Sequence, residues 1–262
     1  MNALARDSAM HPPKPPGTII DLTKIKIPCD KCSARYLCFL SDNLSNTNGN
    51  GENNHITQTV RHPRFDRGYY VFRAGDTLQS LYVIRSGTLK TVVFDNNGEE
   101  RILGFHLPGE LVGLDALGTG RHPCFGQVLE SARLCAVPLN RLKDILCVPR
   151  VHYHVLRVMG EEIHHREKQQ IYHGYGAEKR LATFLLCLSV RLRMLGYEVH
   201  GFRLSMSRAD IANYLALSLE TTSRLFHQLQ TDGRLKVRNR FVDVLDMEWL
   251  KQTAGECLMG DC

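Results

Sequence analysis

Cys29, Cys32 and Cys38 form a C-x2-C-x5-C pattern, with three of the nine cysteines inside ten residues. Two thiolates separated by two residues can grip one metal centre, because a tight turn aims both sulfurs the same way. A third, six residues on, closes most of a coordination shell. Lys31 and Arg35 oppose the thiolate charge. Three sulfurs with no neighbouring histidine suit zinc or an iron–sulfur cluster, and each requires a fourth ligand. Six cysteines remain, at 124, 135, 147, 187, 257 and 262. Cys187 lies in an apolar helical stretch and reads as core, and Cys257 and Cys262 lie in a loose tail. Cys124 and Cys135 flank the last strand of a β-rich region, and spacing does not choose between them.

A second set with chemical potential is Leu219-Glu220-Thr221-Thr222-Ser223-Arg224. Glu220 and Arg224 are four apart, so on a helix they share a face. At the start of a major-groove helix, Arg contacts guanine O6 and N7, and Glu accepts from cytosine N4. Residues 223–240 carry five Lys or Arg and one acid, Asp232. The chain is net +6, from 33 Lys and Arg against 27 Asp and Glu, which suits an anionic partner. A solvated salt bridge would use the same pair without DNA, so the fold context must decide. Enzyme signatures are missing: there is no phosphate loop of the GxxxxGK[ST] type, no GxSxG elbow and no HExxH. The paired His164 and His165 read as solvated or interfacial.

These residues need elements to hold them. At ~150 residues per domain, 262 residues allow one large domain or two small ones. The N-terminus lacks the apolar core of a secretory signal, and an odd cysteine count does not suit a disulfide framework, so a cytoplasmic location is expected. Residues 1–56 read as a Pro-rich flexible tail, the cysteine cluster and an Asn-rich linker at 41–55. Residues 57–149 alternate short apolar runs with Gly-centred turns, and Asn97-Gly98 marks a hairpin, so a β-sandwich or barrel is expected. Residues 150–176 are expected to form a dimer helix whose seam, Val155, Met159 and Ile163, turns polar at Arg166 and Gln170. Residues 177–262 hold a helix from Ala177 to Met194, a helix-turn-helix capped by Ser207 and Ser218, and a hairpin at 234–246: a winged helix-turn-helix. Leu219, Leu225 and Leu229 would face Ile211, Leu215 and Leu217 inside it. The fold class is α+β.

With these parts in place, the chain resembles the FNR-type oxygen-responsive transcription regulators of the CRP/FNR superfamily over roughly residues 27–250. The most specific segments are FRAGDTLQSLYVIRSGTLK (72–90), GFHLPGELVGLDALGTGRHPCFGQVLE (104–130), AEKRLATFLLCLS (177–189) and FRLSMSRADIANYLALSLETTSRL (202–225). The resemblance implies a cyclic-nucleotide-binding-like β-roll, a long dimerisation helix and a homodimer. It implies a [4Fe–4S] cluster on Cys29, Cys32, Cys38 and Cys135, the last matched by SARLCAVPL. It also implies Glu220, Ser223 and Arg224 as readers of a palindromic TTGAT-type DNA site under anaerobic conditions, and RNA polymerase as a partner. A structural zinc on the same scaffold is the alternative. Cyclic-nucleotide receptors of the superfamily keep a phosphate-binding Arg after the Gly109-Glu110-Leu111 segment; here His122-Pro123-Cys124-Phe125 occupies that stretch. The Asn-rich 41–55 segment also replaces much of the family's usual helix between the cysteines and the β-roll.

Overall fold

A computed structural model describes residues 19–27, 32, 63–140, 142, 147, 149–172, 174–197 and 200–255. The tail, Cys29, Cys38, the Asn-rich 41–55 segment and Cys257 and Cys262 lie outside the described residues.

The middle of the chain is a roll of two four-stranded sheets. One orders its strands β2 (Arg64–Phe65), β9 (Ala132–Pro138), β4 (Ser80–Ser86), β7 (Leu111–Val112). The other orders β3 (Tyr70–Phe72), β8 (Phe125–Val128), β5 (Leu89–Phe94), β6 (Glu100–His106). Alternation along the strands decides what each face buries. Ile84 and Leu134 join Phe72, Leu89 and Val128 between the sheets. Their neighbours Leu81, Val83, Cys135 and Val137 point the other way, into a separate cluster with Leu78 and Val155.

The Asn97-Gly98 turn joins β5 and β6 as expected, by a different route. Only Gly98 of the pair has positive φ, so this is not the two-residue turn the dipeptide suggests. Asp95 instead accepts from the Asn97 and Glu99 amides, both at 2.9 Å, and stretches the loop to residues 95–99. Gly87, between β4 and β5, has no alternative. Its φ is +83°, and a Cβ there would stand 2.7 Å from the Ala132 Cα and the Ser131 carbonyl. Gly87→Ala combines left-handed strain with a backbone clash and is expected to cost about 2–4 kcal/mol. Thermal unfolding should show this as a fall of roughly 5–15 °C.

Helix α1 (Pro149–Tyr172) crosses the outer face of the roll. The structure divides the expected seam between two faces. Val155 is buried and Met159 half-buried against the cluster that contains Cys135, so this edge of α1 faces its own roll. The exposed apolar stripe is Tyr153, Leu156 and Ile163, at intervals of three and seven. The side chains of Arg166 and Gln170 are outside the described set.

Helix α2 (Ala177–Met194) is the core of the C-terminal domain, burying Leu181, Leu185, Leu188 and Leu192. Helices α3 (Arg208–Tyr214) and α4 (Leu219–Thr231) follow, then the hairpin β11 (Leu235–Arg238) and β12 (Phe241–Val244), then α5 (Met247–Ala254). This is the winged helix-turn-helix. Its sheet has the order β1-β10-β12-β11, where β10 is Gly201–Arg203 and β1 is Ile19–Asp21 from the N-terminal segment. No helix among the described residues is long and apolar enough to cross a membrane.

Candidate metal centre and nucleic-acid interface

Cys135 sits opposite Val83 in the β4–β9 ladder and is 6% exposed. Cys32 is half-buried and packs against the same outer cluster, and also against the larger core shared by the roll and the C-terminal domain. Two of the four expected ligands therefore meet one apolar cluster, where side chains such as Leu81 and Val137 exclude water. Cys124 is placed elsewhere: it is buried with Phe72 and Ile84 between the sheets, and its thiol donates to Asp115 Oδ2 at 3.3 Å. Cys147 is exposed, and Cys187 is half-buried on α2. Among the described residues no group of three His, Cys, Asp or Glu could hold a metal. The described pair fits a thiolate-held cluster: two soft donors against one apolar wall.

The reading surface is built by two capped helices. Ser207 accepts from the Asp210 amide at 3.0 Å, and the Asp210 carboxylate accepts back from the Ser207 amide and hydroxyl, a full capping box. Ser218 accepts from the Thr221 amide and donates to the Thr221 hydroxyl at 2.8 Å. Between the helices Ala216 turns the chain with φ +52°, a conformation that usually falls to glycine. Leu225, Phe226 and Leu229 anchor α4, and the Arg208 guanidinium lies 3.5 Å over the Phe226 ring. Burial there pulls Arg208 down to about 10, still a cation at neutral pH.

Anchored this way, α4 turns Glu220, Ser223 and Arg224 to solvent. His227, one turn beyond Arg224 on that face, is exposed as well. Sequence reading passed over it, although its spacing of seven from Glu220 carried the signal. Leu219, expected inside, is half exposed. Lys236 and Arg238 extend the basic surface along the exposed edge of the wing.

Polar contacts dock this domain on the roll. Lys90 reaches from β5 to Glu100 at 2.5 Å and to Asp210 of α3 at 3.0 Å. Asn213 accepts from the Ile102 amide at 2.8 Å and donates to the Glu100 carbonyl at 2.6 Å. Glu110, beside Gly109 (φ +92°), takes Arg191 of α2 in a two-pronged pair at 2.8 and 2.6 Å. Burial pushes the Glu110 carboxyl up, but Arg191 outweighs it and holds the group below the ordinary carboxylate range. The stretch where cyclic-nucleotide receptors keep a phosphate-binding Arg holds His122 here, buried and stacked on Phe72 with ring centres 4.0 Å apart. Burial outweighs Asp115 and Asp76 and lowers its pKa, so the ring stays neutral and offers no charge to a phosphate.

Comparison with known proteins agrees with this architecture. The family model for a cyclic nucleotide-binding domain matches residues 63–147, and that for a Crp-like helix-turn-helix domain matches 179–253. The chain is 40% identical over 238 residues to the transcriptional activator protein Anr of Pseudomonas protegens, covering 88% of this chain and 94% of that one. It is 38% identical over 233 residues to the fumarate nitrate reduction regulatory protein of Klebsiella oxytoca, covering 88% and 91%. Among solved structures, FixK2 from Bradyrhizobium japonicum shares the fold, with TM-score 0.70, 24% identity, and coverage of 75% of this chain and 98% of that one. With the roll, the exposed reading helix and these relatives together, the chain belongs to the FNR and Anr branch of the CRP/FNR superfamily, whose members are transcription regulators and not enzymes.

Proposed function

We propose that this chain is an anaerobic transcription regulator that senses oxygen through a labile [4Fe–4S] cluster held by Cys29, Cys32, Cys38 and Cys135. The observation that carries this reading is the packing of Cys32 on the outer cluster that contains Cys135, with Cys124 in a different cluster. When bound, the cluster supplies an oxygen-labile link between the N-terminal cysteine segment and β9. The protein's own residues do the rest. Leu81, Val83 and Val137 screen that wall from water. Tyr153, Leu156 and Ile163 offer the apolar face of α1 to a second copy, so that residues 150–176 form the dimerisation helix. The dimer sets two α4 helices about one DNA turn apart, which is why the site is palindromic.

In this reading residues 1–56 carry the cysteines, 57–149 form the sensor roll, and 177–262 read DNA through Glu220, Ser223 and Arg224 at TTGAT-type half-sites. RNA polymerase is the partner that receives the signal, in the cytoplasm. Glu110 is held by Arg191 and His122 is neutral, so the roll is not proposed to bind a cyclic nucleotide.

Anaerobic purification with iron and acid-labile sulfide assays tests the sensor. About four irons per chain, lost in air, are expected. Cys135→Ser should abolish iron loading, and Cys124→Ser should leave it unchanged. Zinc in place of iron, or full iron in Cys135→Ser, overturns the assignment.

A further inference from the structure

The residues just before the cysteine segment run through both domains. β1 lies parallel on the edge of β10, with Ile19 opposite Gly201 and Asp21 opposite Arg203. Ile20 is 5% and Leu22 0% exposed, and Ile25 and Ile27 are buried with them in a core that runs from the C-terminal domain into the roll, where it includes Val92, Phe105 and Leu107. The other end of the segment grips the roll. Lys26 bridges Ser86, and the Ile27 amide donates to the Arg85 carbonyl at 3.0 Å. Ile27 also lies against the Gly109 turn, next to Glu110. Arg203 completes the link: it pairs with Glu130 of the roll at 3.0 Å and with Asp21 of the segment at 3.5 Å. Five residues past Ile27, Cys32 touches both core clusters.

We propose that residues 19–27 are a strap through which the state of the cysteine segment sets the position of the DNA-reading domain within one subunit, separately from dimerisation. N-terminal segments fray unless they are tied down. This one is tied in the wing sheet at one end and at the roll and Cys32 at the other. With Cys32 held against the wall that contains Cys135, both ends are fixed. β10, the sheet it belongs to and α4 then keep one orientation on the roll. With Cys32 released, the distal end keeps its Lys26 bridge and Ile27 amide bond to the roll but loses its hold at Cys32, so the strap adds less to the docking contacts of Lys90, Asn213 and Arg191 that also hold the domain. The domain then samples other orientations, and operator affinity falls by the fraction of time it leaves the reading pose. The trigger rests on the proposed cluster; the hold of β1 on the reading domain does not.

Ile20→Ser in the full chain, prepared without oxygen, separates these roles. Iron content and the dimer fraction by sedimentation should match the unaltered protein. The operator Kd should weaken about tenfold, a usual size for coupling between sites. An unchanged Kd would reduce β1 to a cover for a sheet edge. A dimer fraction that falls in step with affinity would return the effect to dimerisation. Hydrogen exchange on the unaltered protein gives a second reading that does not depend on the variant folding. Protection of residues 19–22 and 201–203 should fall together when air removes the iron; protection that survives iron loss overturns the strap. If the anaerobic protein holds no iron, the cluster fails as the trigger, and the Ile20→Ser affinity still decides whether β1 positions the reading domain.

Discussion

Arg224→Ala weakens operator binding by at least about 30-fold while leaving the fold intact. A specific arginine contact in the major groove is worth about 1–3 kcal/mol against the wrong base. A dimer on a palindrome loses it twice, so the expected loss is about 2–6 kcal/mol, or roughly 30-fold to 10⁴-fold in Kd. Among the described residues nothing opposes the substitution. Arg224 is exposed on α4 while Leu225, Phe226 and Leu229 hold the helix, and alanine is a better helix former. The melting temperature should therefore stay within a degree or two, matching a surface change of less than about 0.5 kcal/mol. Lys236→Ala makes the contrast. A wing lysine that meets phosphate should weaken all DNA sequences alike and reduce the salt dependence of binding, whereas Arg224→Ala should also erase the preference at one base pair of each half-site. Operator titrations at two or three salt concentrations read both. Wild-type affinity in Arg224→Ala would show that α4 does not read the groove.

The second large effect is on stability, at the pair that joins the roll to the reading domain. Arg191→Met leaves the Glu110 carboxylate without its counter-charge, with the Leu107 amide at 3.0 Å as a remaining hydrogen-bond donor. Breaking a fully buried pair costs about 3–5 kcal/mol. Here Arg191 is 13% and Glu110 33% exposed, so solvent reduces the expected cost to about 2–3 kcal/mol. Adding Glu110→Met should recover more than half, because two apolar side chains in that space leave no stranded charge. The pH dependence gives a sign. Burial raises the Glu110 carboxyl, and Arg191 more than reverses this, leaving the folded group below its ordinary value of 4.5. Its contribution is therefore complete above about pH 4.5 and is lost as pH falls through the folded pKa. In Arg191→Met the reversing charge is gone, and burial, opposed now by His106 and the Leu107 amide, should leave the carboxyl higher than in the unaltered protein. The variant's deficit, largest at pH 7, should narrow on acidification, and urea unfolding from pH 7 to pH 4 measures it. A deficit that is flat or widens would mean that the pair is not what Arg191 contributes.

Local features were readable in the chain before its structure. Ser207 and Ser218 sit at the two helix starts they were expected to cap, because a cap is written within four residues. The Asn97-Gly98 hairpin was legible as a connection, although Asp95 determined its form. What escaped were pairings with no local signature. Glu110 and Arg191 are 81 positions apart, and Lys90 and Asp210 are 120 apart. Helical spacing identified Val155, Met159 and Ile163 as apolar positions, but it could not say which face meets the roll and which a second copy. The same limit applied to the cysteines. Residue spacing leaves Cys124 and Cys135 equivalent, and strand alternation separates them: Leu134 turns inward and Cys135 outward. Of the four cysteines proposed as ligands, the structure describes only Cys32 and Cys135.

The parallel pairing of β1 with β10 also has a consequence for biosynthesis. Ile19 leaves the ribosome early, but its partner Gly201 is 182 residues behind it. At 5–20 residues per second the first strand waits on the order of ten to forty seconds for its place in the sheet. During that interval the roll can already have folded, since its strands pair among residues 64–138. Cys135 is then in position while the N-terminal segment is still unattached at its far end. On the reading proposed above, the cysteine segment is therefore open to cluster loading before β1 takes its place beside β10, and loading during translation would meet less obstruction than loading of the finished protein.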